Sequence, residues 1–170
     1  MALYLIPNGP MQTTAAFVAV TTGAAIKTML QVKPSATIAA KVKEWGISFD
    51  GSAATTPIKV ELIETDVAAT VTASVANDLT KLDAAALAGG DPTTNLIQVG
   101  TAATGYTASA EGTITSVRNL APPIFIPPTD KWAWAFSLGT EPIIQVAKFG
   151  RVRVTAGAAV NCYCYMIVEV

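Results

Sequence analysis

Segment after segment of this chain alternates apolar and polar residues with a period of two. Ile58, Val60 and Leu62 alternate with Lys59 and Glu61, and Val67, Ala69, Val71, Ala73 and Val75 alternate with Thr70, Thr72 and Ser74. Val152 and Val154 alternate with Arg151, Arg153 and Thr155. Successive side chains of a strand point to opposite faces, so this pattern predicts half-buried antiparallel β-sheet. No segment of comparable strength carries a helical period. The pattern constrains the architecture and supplies no chemistry of its own.

A chain of 170 residues is long enough to bury a sizeable core in one domain without disulfide or metal staples. Charged residues make up only 14% and the mean hydropathy is +0.45, an apolar balance for a soluble monomer. Ala and Thr dominate the polar-facing strand positions, and a surface of such residues is easily desolvated. Two readings follow: a compact monomer with small side chains outside, or a subunit that covers much of its surface with neighbours. Eleven basic and twelve acidic residues are scattered rather than clustered, which argues against direct nucleic-acid binding. The longest apolar run, Cys162 to Val168, falls far short of the ~20 residues that span a bilayer. The first ten residues lack the charge and apolar pattern of a signal peptide.

Strands are expected at Ala15–Val20, Ile26–Lys33, Thr37–Phe49, Ile58–Thr65, Val67–Ser74, Gly112–Leu120, Trp132–Leu138, Phe149–Thr155 and Ala159–Val170. Within Thr37–Phe49 the apolar phase is even at Ile38, Ala40 and Val42, then odd at Trp45, Ile47 and Phe49. A period-two pattern changes phase only through an extra residue, which predicts a β-bulge near Lys43–Glu44. Residues 77–95 have helical spacing at Leu79, Leu82, Ala86 and Leu87, with Asp78 placed to cap a short helix. So many strands in one domain imply an all-β, two-sheet antiparallel sandwich of jelly-roll type, with at most one short helix. Residues 1–13 are read as an N-terminal arm or edge segment, and 14–170 as a single sandwich domain.

The chain has no histidine, which removes the commonest general base and metal ligand and excludes His-dependent nucleophile systems. No phosphate-binding loop, dinucleotide fingerprint or EF-hand spacing occurs. Glu61 and Glu64, three apart on a strand, face opposite sides and cannot share a substrate. Cys162 and Cys164 point the same way from one strand, too far apart for an ordinary disulfide, and read as small buried apolar residues. The chain is therefore not read as an enzyme, and no metal or cofactor is expected.

Trp132, Trp134 and Phe136 share one face of a strand, with Ala133 and Ala135 opposite. They fill the sandwich core, form a sugar-stacking platform, or make a subunit interface, and the residues alone leave all three open. Arg151 and Arg153 read as a solvated face or as partners for acidic groups on a neighbour. These five residues are the candidate interface.

Glu44-Trp45-Gly46-Ile47-Ser48-Phe49-Asp50-Gly51 followed by Pro57-Ile58-Lys59-Val60-Glu61-Leu62 resembles a group of tailed-bacteriophage structural proteins. So do Ala103 to Thr113, Leu138-Gly139-Thr140-Glu141-Pro142 and Arg151-Val152-Arg153-Val154-Thr155-Ala156. These are strand segments rather than a reactive signature. The resemblance implies a minor virion or head-associated β-sandwich subunit that sits on the capsid and reinforces it. The partners expected on this reading are its own copies, as a homotrimer, and the major capsid protein, with neither nucleic acid nor membrane. Its place is the virion surface after assembly in the host cytoplasm. A phage tail adhesin or carbohydrate-binding sandwich, using Trp132 and Trp134, is the alternative.

Overall fold

A computed structural model describes residues 2–14, 18–51, 56–82 and 96–170 of the chain. Two antiparallel sheets pack face to face. The first is built from β1 (Leu3–Pro7), β2 (Val20–Thr21), β4 (Ala40–Asp50), β7 (Thr80–Lys81), β12 (Lys131–Ala135), β13 (Ile143–Ile144) and β15 (Asn161–Glu169). Its path runs β12-β4-β15-β1-β7, with β13 beside β4 and β2 beside β15. The second contains β3 (Ile26–Pro34), β5 (Ile58–Thr65), β6 (Thr70–Ala73), β8 (Ile97–Gln98), β9 (Gly105–Ala110), β10 (Val117–Asn119), β11 (Ile124–Ile126) and β14 (Phe149–Thr155). Its path runs β10-β5-β14-β3-β9-β6, with β11 beside β5 and β8 beside β3. The long strands β3, β4 and β5, and later β14 and β15, alternate between the two sheets of the sandwich.

The core lies where the apolar phases of the two sheets meet. Tyr4, Ile6, Val42, Trp45, Ile47, Cys162, Cys164, Met166 and Val168 come from one side, and Leu30, Val32, Ile58, Val60, Leu62, Val152 and Val154 from the other. Alternation is cleanest in β15, where every even-numbered residue is buried and every odd-numbered one half-buried. The expected bulge is present: Ile167 pairs with Glu44 and the next residue, Val168, pairs with Val42, leaving Lys43 as the extra residue of β4. Left without a partner on β15, Lys43 reaches with its side chain to Glu141 and Glu169, each at 2.8 Å.

The Leu3–Pro7 segment lies inside the first sheet, between β15 and β7. After Pro7, the Asn8 side chain continues the pairing, accepting from the Cys164 N–H at 2.9 Å and donating to the Cys162 carbonyl at 3.3 Å. Several boundaries differ from expectation. The strand expected at Val67–Ser74 begins only at Thr70, because Val67–Ala69 cross the face of the second sheet. The one expected at Gly112–Leu120 shortens to β10. Of Ala15–Val20, residues 15–17 lie outside the described residues, and the strand is Val20–Thr21. Of the expected helix at 77–95, residues 83–95 also lie outside them. What precedes is a 3-10 turn at Ala76–Asp78, where the Asp78 carboxylate accepts from Val75 N–H and Met11 N–H, followed by β7.

Candidate functional site

The aromatic row sits on β12, an outermost strand of the first sheet. Trp132 pairs with Ile47 and Trp134 with Trp45, so both indoles lean toward the sandwich interior, but at its open side. Trp132 and Phe136 pack against the core as half-buried side chains, whereas Trp134 is 45% exposed. The rings form a ladder: Trp132 and Trp134 centroids lie 5.9 Å apart, and Trp134 and Phe136 6.3 Å, all tilted. Core filling therefore describes two of the three residues, and Trp134 projects beyond it.

The two arginines are not an open interface. Arg151 is fully buried, contrary to its reading as a solvated or partner-facing residue. Its guanidinium lies beneath the Val67–Ala69 crossing and donates to the Val67 carbonyl, to the Glu111 carbonyl at 3.2 Å and to the Glu111 carboxylate at 3.2 Å. Gln31, its neighbour on β3, works in the same way, accepting from Ala69 N–H at 2.8 Å and donating to the Ala103 carbonyl at 2.6 Å. The crossing carries backbone groups that burial would leave unpaired, and these two side chains satisfy them. Glu111 also takes the Thr28 N–H at 2.5 Å and its hydroxyl at 2.7 Å, where β9 has parted from β3 beyond Tyr106. A Cβ at Gly112 would meet the Ala68 carbonyl at 2.7 Å, and its φ is +74°, so glycine admits this close approach. Burial lowers the Arg151 pKa from its ordinary value, and the Glu111 charge opposes that shift.

Arg153 is likewise occupied. Its side chain is 16% exposed and holds Glu61 at 3.1 Å, while Lys59 holds the other oxygen at 2.7 Å. Burial pushes the Glu61 carboxyl up, and the Lys59 hydrogen bond and the Arg153 charge together outweigh it, leaving it below the usual range. Glu64, on the opposite face of β5, pairs with Arg118 at 2.9 Å and accepts from Gln145 N–H at 2.7 Å. Among the described residues no cluster of three or more His, Cys, Asp or Glu side chains could hold a metal ion.

On the outer face of the first sheet the structure forms a groove of about 410 Å³, bordered by Ser48, Lys131, Ala133, Tyr163 and Tyr165. Tyr165 lies across Gly46 of the neighbouring strand, where a Cβ would fall 2.5 Å from its ring, and its hydroxyl donates to Glu44. Burial, then that hydrogen bond, pushes the Tyr165 phenol up to about 12. Tyr163 stacks beside it with centroids 6.2 Å apart. The alternation of β15 already set Tyr163 and Tyr165 on one outward face. That Gly46 would lie beneath Tyr165 depends on pairing across strands, which the local pattern does not carry.

Comparison with family models, with curated proteins and with solved structures finds no match to this chain.

Proposed function

We propose that the chain is a structural subunit of a tailed-bacteriophage particle, decorating or reinforcing the capsid through contacts with its own copies and with the major capsid protein. The observation that carries this reading is an apolar flank. Six of the twelve large apolar side chains exposed among the described residues fall between Val117 and Val146: Val117, Phe125, Trp134, Leu138, Ile143 and Val146. Val117, Phe125, Trp134 and Ile143 stand on strands that gather on one flank, and Leu138 and Val146 on the turns that precede and follow β13. β10 and β11 border β5, β12 and β13 border β4, and Arg118 of β10 donates to the Ile143 carbonyl of β13. A flank of this kind, on a chain with only 14% charged residues, is surface suited to a protein partner.

The phage assignment is supported by the resemblance, whose segments fall on β4, β5, β9 and β14 and on the turn between β12 and β13. What is shared is scaffold, as suits a subunit whose work is contact rather than reaction. The virion surface is the location this reading implies. Immunogold labelling of the encoding phage, with antibody raised against the chain, tests it. Gold at many sites on each head is the expected result, and absence from both intact and permeabilised particles overturns the proposal.

The groove over Gly46 favours a second reading, a tail adhesin or carbohydrate-binding module. Paired tyrosines beside Ser48 and Lys131 offer stacking faces with polar groups at their rim. Gold confined to the tail tip, with glycan-array binding lost in Tyr163→Ala, would favour it over the first.

A further inference from the structure

Among the described residues β12 has a strand on one side only, β4, and its other edge is open. The direction of its amides is fixed by two bonds. Phe136 N–H donates to the Lys43 carbonyl at 2.8 Å, and the Asp130 carbonyl accepts from Phe49 N–H at 3.0 Å. Even-numbered residues therefore turn their polar backbone groups to β4, and Lys131, Ala133 and Ala135 turn theirs to the open edge. Such edges are usually blunted by charge, proline or a bulge. Here the only charge is Lys131 at the first position, and the Asp130 carboxylate takes its N–H at 2.7 Å.

We propose that this edge pairs with β12 of a second copy, antiparallel and about a two-fold axis through Ala133. This deepens the structural-subunit reading, which asks only that the flank be covered, by naming what covers part of it. Two independent features select the same register. Ala133 is an outward-pointing residue, so it can exchange both its hydrogen bonds with its symmetry mate, and Ala135 N–H can donate to Lys131 of the second copy. The side chains are palindromic about the same point: Trp132-Ala133-Trp134 reads alike in both directions.

In that register Trp132 faces Trp134 of the second copy, twice, continuing the aromatic ladder across the axis and covering the exposed indole. Ala133 faces itself, small enough to admit close approach, and Lys131 faces Ala135, so no like charges oppose. A slip of one residue would set outward-pointing amides against inward-pointing ones. A slip of two toward the C-terminus would run the pairing into the Ser137–Thr140 turn, which closes on its own hydrogen bond at 2.9 Å, and the opposite slip would set Trp134 against Asp130. The product is a dimer with a sheet continuous across the axis, an assembly of different symmetry from the homotrimer that the resemblance implies.

Sedimentation velocity of the purified chain from roughly 1 to 100 μM tests the pairing, a range suited to a small interface. The wild-type chain should show a concentration-dependent dimer. Ala133→Pro removes an N–H that points away from β4, so the intrachain ladder survives while the edge is blocked. Ala133→Lys sets like charges against each other at the axis. Each should weaken the dimer at least about tenfold, with the far-ultraviolet circular dichroism of the wild type retained as the check on folding. A wild-type chain that stays monomeric throughout, or a dimer unchanged in both folded variants, overturns the inference. A monomeric chain with gold on phage heads would remove the pairing and leave the structural-subunit reading standing. A dimer dissolved by Ala133→Pro, with unlabelled particles, would do the reverse.

Discussion

Replacing Arg151 by Met keeps much of the side chain's length and removes the buried charge with its hydrogen bonds. The Val67 carbonyl then loses its donor beneath the crossing, and Glu111 loses its charged partner at 3.2 Å. Removing one partner of a buried ion pair costs about 3–5 kcal/mol. Glu111 keeps both bonds from Thr28, and its side chain is 20% exposed, which places the expected loss at the lower end, about 3 kcal/mol. With a urea dependence of about 2 kcal/mol per molar for a domain of this size, the midpoint of unfolding should fall by about 1.5 M. Equilibrium urea unfolding followed by tryptophan fluorescence reads this directly. Arg151→Lys should recover part of the loss, since a single ammonium cannot reach all the acceptors that the guanidinium fork spans. The double variant Arg151→Met with Glu111→Gln should lose less than the sum of the two single variants, because each leaves the other's partner stranded. A midpoint shift under about 0.25 M for Arg151→Met would refute the reasoning, since that is the size expected of an arginine on an open surface.

Acid should remove the contribution of Asp66, a half-buried carboxylate that the fold holds ionised. Hydrogen bonds from the Thr115 hydroxyl and Ser116 N–H hold Asp66 at about 2, so its stabilising effect is full above its ordinary value of 3.8 and disappears as pH falls through 2. Asp66→Asn should accordingly be less stable than wild type at neutral pH, with the difference closing as pH falls below 2 in thermal unfolding. At the alkaline end, the fold favours the protonated Tyr165 phenol, so its contribution is intact below pH 10 and is lost as pH rises through about 12. Gly46→Ala should displace the ring and bring one tyrosine back toward 10 in a spectrophotometric titration. Burial first, then the hydrogen bond with Cys162, raises the Cys164 thiol well above its ordinary value, and both thiols are free and buried. An aromatic disulfide reagent should therefore titrate neither in the native protein and both in denaturant.

The parts of the fold that were legible from residues are those in which one strand records its own burial. β4 shows its bulge because Val42 and Trp45 both face the core and only an extra residue reconciles them. β15 shows both faces because the alternation from Cys162 to Val168 is unbroken. β9 is different: Gly105–Ala110 has no apolar stripe and is held by backbone pairing to β3 and β6. The three-residue β11 and the two-residue β13 are too short to show a period. Arg151 stands in the polar phase of β14 and reads as solvent-facing, and only the passage of Val67–Ala69 over it makes it buried. Glu111 gave no signal at all, because its task is to replace a strand that turned away. The candidate surface followed the same rule. The shared face of Trp132, Trp134 and Phe136 is local information, whereas their position at an open edge is set by strand order.

β15, at the centre of the first sheet, is made after β4 and β1, the two strands that flank it. Asn8 and Cys164, hydrogen-bonded neighbours, stand 156 residues apart. At about 5–20 residues per second, translation alone separates their appearance by roughly 10–30 s. From the synthesis of β4 until that of β15, β1 and β4 lack the strand that joins them, and Tyr4, Ile6 and Trp45 lack its side of the core. A product that stops short of β15 is therefore not a slightly smaller sandwich but one whose first sheet is two fragments with a gap between them. Closure of the first sheet therefore waits on β15, and only once it is made do β1 and β4 join in one continuous layer over the core.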